Sequence, residues 1–103
     1  MIAYASRTGT RRNLDALRRA GWRLMVSARG ALRPERFRYA LDNGAWTAFQ
    51  RGEPFDVRAF DKAITLLGPA PDWIVLPDIV AGGPASLRLS LDWLDTLRGR
   101  PDL

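Results

Sequence analysis

Trp73-Ile74-Val75-Leu76-Pro77-Asp78 sets the fold class of this chain. Its four apolar residues run without alternation, as in a strand buried on both faces of a parallel sheet, and Pro77 and Asp78 end the run. Upstream of it, Val57, Phe60, Ala63, Ile64 and Leu67 repeat at helical spacing, with Asp56 placed to cap the helix and Gly68 to stop it. Residues 46–52 read as a connection, and Tyr39-Ala40-Leu41 before them as a short strand. Residues 29–38 have turn chemistry at Gly30 and Pro34 and no sustained period, which predicts a loop. Leu24-Met25-Val26 predicts another strand. A helix capped by Thr10 precedes it, with Leu14, Ala16, Leu17 and Ala20 on one face and Gly21 at its end, and residues 2–6 predict the first strand. Downstream, Pro84 opens a final helix carrying Leu87, Leu91, Leu94 and Leu97, closed by Gly99 and Pro101.

The order is therefore strand, helix, strand, loop, strand, helix, strand, helix, with four strands expected to run parallel. Such orders build doubly wound sheets or (β/α) barrels. No Gly-x-Gly-x-x-Gly follows a strand, and Gly82-Gly83-Pro84 lacks the spacing of a phosphate cradle. With 103 residues the chain makes one domain, whereas a barrel of eight units takes about 250 residues. The expectation is an α/β fold of parallel (β/α) units in which residues 1–103 form one domain, the N-terminal half of a TIM-type (β/α)8 barrel. Such a half is incomplete. It is either a fragment or a half-barrel that completes itself by pairing as a homodimer.

Composition narrows the chemistry. At 47% hydrophobic and 26% charged residues, the chain falls among folded domains and away from disordered ones. No apolar run approaches the ~18 residues of a membrane span, and no basic segment followed by an apolar stretch opens the chain, so no membrane partner and a cytoplasmic location are expected. Without Cys or His, thiol nucleophiles, disulfides, imidazole bases and Cys/His zinc sites are excluded. Neither a cofactor nor a metal is expected, and chemistry falls to carboxylates, hydroxyls, Arg, Lys62 or backbone groups. Charge is uneven: residues 1–40 carry ten Arg against Asp15 and Glu35, a net +8, whereas residues 41–103 sum to −3. A basic region favours a polyanion such as nucleic acid through counterion release. The alternative is a solvated surface whose Arg reflects GC-rich coding.

Two carboxylates stand where parallel α/β folds gather their active sites, at the carboxyl ends of predicted strands: Asp42 and Asp78. Asp42-Asn43-Gly44 is also a strong turn signal, and residues 39–49 are open to a hairpin reading. Asp78 is open to a role as a helix cap or as part of a solvated loop near Gly82-Gly83. Trp46 and Phe49 offer a flat surface to a planar ring, or ordinary core.

Ala40-Leu41-Asp42-Asn43-Gly44-Ala45-Trp46 resembles the Asp-Ser-Gly-Gly-Phe segment of tRNA-guanine transglycosylases (queuine tRNA-ribosyltransferases), and Val75-Leu76-Pro77-Asp78-Ile79-Val80 resembles a later strand-end acidic segment of the same barrels. With the opening Tyr4-Ala5-Ser6-Arg7-Thr8-Gly9-Thr10, the pattern is more similar to small phage and bacterial relatives that install 7-deazaguanines in nucleic acid. Asn43, Ala45 and Trp46 stand where the family has Ser, Gly and Phe, so Asp42 and Gly44 carry the first motif. The resemblance implies that Asp42 is a catalytic acid/base and that Asp78 reads the base through its N–H groups, with Gly44 and Trp46 beside it. It also implies that the covalent nucleophile, a third Asp, and the family's zinc site belong to the barrel's second half, beyond residue 103.

The function expected is transglycosylase-like (pentosyltransferase) exchange that inserts a 7-deazaguanine-type base into DNA or tRNA, with this chain supplying the base-recognition half. Two displacements through a glycosyl-enzyme ester would replace one. A base in a duplex would first be flipped out. Arg11, Arg12, Arg18 and Arg19 on the first helix are the expected phosphate contacts. The alternative is a non-catalytic nucleic-acid or protein interaction module derived from the same fold. A metal-dependent carboxylate hydrolase would need more ligands than two acids supply.

Overall fold

The strand over Arg23–Ser27 (β2) alternates strictly. Leu24 and Val26 are buried on one face, while Arg23, Met25 and Ser27 are half-buried on the other. In a parallel sheet such alternation means that helices cover only one face. The computed structural model, which describes residues 1–100, shows how this arises. β2 lies between Tyr4–Ser6 (β1) and Tyr39–Asp42 (β3), parallel to both, in the order β1-β2-β3. Beyond β3, Ile74 forms a parallel bridge to Leu41, placing segment 73–76 fourth in line. Neighbours in space are thus neighbours in sequence, and right-handed crossovers in such an order bring every helix to the same face.

The helices do pack there. Leu14 and Leu17 of α1 (Arg11–Arg19) meet Leu24, Val26 and Tyr39. Phe60, Ala63 and Ile64 of α3 (Val57–Leu67) form a core with Leu41 and Ala28. Trp93 and Leu97 of α4 (Pro84–Arg98) close over that core, Trp93 edge-on to Phe60 with ring centroids 5.2 Å apart. Asp56 caps α3 as expected, accepting the Ala59 N–H at 3.0 Å. Thr10 is the N-cap of α1, although its side chain makes no capping hydrogen bond.

The other face is open and concave. Tyr4 lies on β1 and Trp73 on the fourth segment, three strand spacings or about 14 Å away in a flat sheet. Their rings nevertheless meet over the open face, with centroids 5.2 Å apart. The sheet is therefore curled.

Four expectations need correction. Segment 73–76 is not a regular strand buried on both faces: it is bridged only through Ile74, and Trp73 remains 43% exposed. As the last position of the sheet it has one neighbour, and its outer side has nothing to pair with. Residues 46–52 are not a bare connection, since Ala45–Gln50 form a helix (α2), and the hairpin reading of residues 39–49 fails with it. Asn43 causes this locally by accepting the Ala45 N–H at the helix start, while Gly44 turns the chain at φ 79°. On α1, Ala16 and Ala20 are exposed, leaving only Leu14 and Leu17 inward. On α4, Leu87 and Leu91 face out and the helix is turned so that Trp93 and Leu97 reach the core, because the aromatic fills the space beside Phe60. Pro101, expected to close this helix, lies outside the described residues.

Candidate functional site

Asn43 organises the carboxyl end of the sheet. It follows directly on β3 and is 3% exposed, a burial that an amide tolerates only when its donors and acceptor are matched. They are. Its Nδ2 donates to the Leu76 carbonyl and to Asp78 Oδ1, both at 2.6 Å, and its Oδ1 accepts from the Ala45 N–H at 2.8 Å. One side chain thereby ties the end of β3, the end of segment 73–76 and the first turn of α2, and holds Asp78 Oδ1, while Oδ2 has no hydrogen-bond partner among the described residues. Sequence reasoning missed this role. The signal available was Asn at a strand end ahead of a Gly, which reads equally as a turn.

Asp42 and Asp78 lie at the same end of the sheet but open into different cavities. Asp42 lines a cavity of about 400 Å³ with Ser6, Arg7, Ser27, Trp46 and Thr47. Its Oδ2 accepts the Gly44 N–H at 3.1 Å. Asp78 lines a smaller cavity of about 260 Å³ with Phe49, Glu53, Phe55, Ile79 and Val80. The short helix α2 stands between the two, giving Trp46 and Thr47 to the first and Ala45, Ala48 and Phe49 to the second. Trp46 and Phe49 are not core: they stack at 5.5 Å and 26°, and both are more than half exposed. Planar ligands bind to such surfaces.

Gly44 lines neither cavity. Its place in the structure is conformational, with a positive φ and so little room that a Cβ there would lie 2.5 Å from Arg29 Cγ. Arg29, largely buried, is in turn held by Glu53 at 3.1 Å and Asp56 at 3.5 Å.

The ten arginines of residues 1–40 divide into two groups. Arg7 pairs with Glu35 at 2.6 Å and donates to the Arg33 carbonyl, Arg29 pairs as described, and Arg23 and Arg38 bind Asp72. Arg18 reaches Asp15 and the Glu35 carbonyl and lies 4.5 Å over the Phe37 ring, so it holds the loop between β2 and β3 and is not a free surface cation. Glu35 and Arg36, which these arginines pin down, both have left-handed backbone, φ 53° and 64°. Arg11, Arg12, Arg19, Arg33 and Arg36 are exposed, with no ion pair among the described residues. Of the four expected phosphate contacts, Arg11, Arg12 and Arg19 remain uncommitted.

Among the described residues no helix is long and apolar enough to cross a membrane. No family model, no curated protein and no solved structure matches the chain.

Proposed function

We propose that the chain is the base-recognition half of a transglycosylase-like (β/α) barrel, binding a purine or 7-deazapurine for exchange into nucleic acid. The observation that carries this reading is the tie Asn43 makes between the end of β3 and Asp78: it holds Asp78 Oδ1, and Asp78 lines a cavity together with Phe49 and Phe55. A fixed acceptor beside apolar walls suits the N–H edge of a flat heterocycle. Asp42 opens into the neighbouring cavity across α2, and its acid/base part in the exchange rests on the resemblance alone. The sequential parallel order, the helices on one face and the curl of the sheet support a barrel half over a doubly wound sheet, in which the strand order reverses.

A second reading, a nucleic-acid-binding module without turnover, is favoured by one observation. Among the described residues Asp42 is the sole carboxylate on its cavity, so no second acid among them stands ready to attack the sugar. The test separates the readings. Titration with guanine and with 7-deazaguanine, followed by Trp fluorescence, is expected to saturate and to be lost in Asp78→Asn. Incubation of labelled base with DNA or tRNA then reports exchange. Binding without incorporation selects the module, and no base binding in the parent chain ends the base-recognition reading. If nucleic acid is met by the five uncommitted arginines of residues 1–40, log affinity should fall against log salt with a slope of up to about −4.5.

A further inference from the structure

Among the described residues, the bond from the Val75 N–H to the Leu41 carbonyl is the last that joins segment 73–76 to β3 backbone to backbone. Beyond it the chain needs other partners, and most of all at Pro77, whose side chain is fully buried. Three side chains supply them around Asp78. Asn43 Nδ2 donates to the Leu76 carbonyl at 2.6 Å, the Ser90 hydroxyl donates to the Pro77 carbonyl at 2.7 Å, and the Ser86 hydroxyl accepts the Ile79 N–H at 2.9 Å. The residues on either side of Asp78 are thus bound to α4, and its carboxylate to Asn43.

Neither hydroxyl is doing the ordinary work of a helical serine. In a helix interior that side chain points to solvent or bonds the carbonyl four residues back, whereas Ser90 reaches 13 residues back, to chain that has not yet entered the helix. A first-turn side chain that reaches back ordinarily accepts the N–H of the N-cap, here Gly83, whereas Ser86 accepts that of Ile79, seven residues upstream. The loop between is drawn tight against the helix start. The Gly82 N–H donates to the Ile79 carbonyl at 2.9 Å, Ala81 has left-handed backbone at φ 57°, and a Cβ on Gly82 would lie 2.7 Å from Ile79 Cβ.

Ser86, Ser90, Trp93 and Leu97 follow one another at spacings of four, three and four. At about 100° per residue they fall within roughly 60° of one another, a single stripe of α4. Its carboxyl half, Trp93 and Leu97, is seated on the core beside Phe60. Its amino half, the two hydroxyls, binds the chain that carries Asp78.

We infer that Ser86 and Ser90 are positioning residues for Asp78: α4, anchored on the core by one half of this stripe, sets with the other half where the Asp78 carboxylate stands in its cavity. Asn43 then orients a carboxylate whose backbone is already placed. That Asp78 meets a base rests on the reading above, whereas its placement by α4 does not.

The Asn43 side-chain amide reports the position of Asp78 without any ligand, and its solvent exchange is read by nitrogen–proton NMR of the full chain, with Asp78→Ala as the reference for a lost tie. In Ser86→Ala with Ser90→Ala, a change that favours the helix, this exchange is expected to speed about tenfold towards the reference rate. The Ala59 N–H, held by Asp56, should keep its own rate. Ser86→Thr with Ser90→Thr retains both hydroxyls and should restore the parent behaviour. Each single alanine variant is measured in the same way, so the comparison stands even where the pair fails to fold. Affinity for guanine or 7-deazaguanine should fall about tenfold in the alanine pair and return in the threonine pair. An Asn43 amide that is unmoved in folded alanine variants, or that changes only together with the Ala59 N–H as general loosening would make it, overturns the inference. Unchanged affinity in alanine variants of a chain that binds base overturns it as well. A parent chain that binds no base ends the base-recognition reading, and the Asn43 amide alone then decides whether α4 places Asp78.

Discussion

Both ends of the sheet carry aspartate, one at the amino end and two at the carboxyl end, and they treat it in opposite ways. At the amino end, Asp72 is surrounded by cations: Oδ1 accepts from Arg38 at 2.7 and 3.0 Å, and Oδ2 from Arg23 at 2.9 Å and the Tyr4 hydroxyl at 2.8 Å. Every oxygen is used. The hydrogen bonds from Arg38, then that from Tyr4, hold its pKa below the ordinary carboxylate value against the opposing effect of burial. At the carboxyl end, Asp42 and Asp78 receive one amide donor each and no cation among the described residues. The amino end is thus a closed clasp that joins β1, β2, β3 and segment 73–76, while the carboxyl end keeps acceptor capacity for something that arrives. In (β/α) folds the same division holds between the stabilising and the reactive faces.

The sharpest challenge to this contrast is Asn43→Leu, because Asn43 ties the ends of β3 and segment 73–76 to each other and to α2. Removing its amide strips partners from the Leu76 carbonyl, the Ala45 N–H and Asp78 at once. A loss of about 3 kcal/mol is expected in urea unfolding, a large part of the net stability of a domain this size. A loss under about 0.5 kcal/mol would show that the strand ends are held in some other way.

Asp72→Asn tests the amino end and should destabilise less, since water can reach part of the cluster. The sign follows from the depressed pKa. The stabilisation is present above the ordinary carboxylate range and is lost as pH falls through that range towards the lower folded value. The parent chain should therefore lose stability on acidification, whereas the variant should be weaker already at neutral pH and change less with acid. Parallel pH profiles for the two would remove Asp72 from the clasp.

Gly44→Ala should cost about 1–2 kcal/mol from the left-handed backbone alone. The added Cβ would also push Arg29 off Glu53 and Asp56, an effect readable as a loss of salt dependence in the unfolding midpoint. Smallest in stability should be Asp42→Asn, within about 0.5 kcal/mol, since an amide oxygen can still accept the Gly44 N–H. Its effect should appear in exchange or ligand uptake. If Asp42→Asn unfolds the chain while Asp72→Asn does not, the assignment of a structural end and a binding end is reversed.

The direction of the sheet and both strand-end carboxylates were legible from the residues because they rest on local pattern. Helical spacing over Val57 to Leu67, apolar runs at Leu24 and Tyr39 and the acids after Leu41 and Pro77 are properties of neighbours in the chain. Asp72 escaped notice because nothing near it in sequence differs from a surface loop, and its partners Tyr4, Arg23 and Arg38 stand 34 to 68 residues away. The free and engaged arginines could not be separated for the same reason: Arg11 and Arg18 share one helix, and only the position of Glu35 and Phe37 tells them apart.

Periodicity likewise identified α4 as amphipathic but misjudged which stripe turns inward, since two apolar stripes compete and the choice went to Trp93, the side chain that fits against Phe60. The residue types alone settled the class of fold, the charge asymmetry and the absence of thiol and imidazole chemistry, because each follows from local spacing or from composition. Packing settled the course of the chain after Asp42, the edge position of segment 73–76 with Trp73 exposed, and the use of Asn43 as the tie between two strand ends. Those outcomes depend on which distant groups arrive to satisfy a buried amide, cover an edge or fill a space, and such encounters leave no trace in the spacing of neighbouring residues.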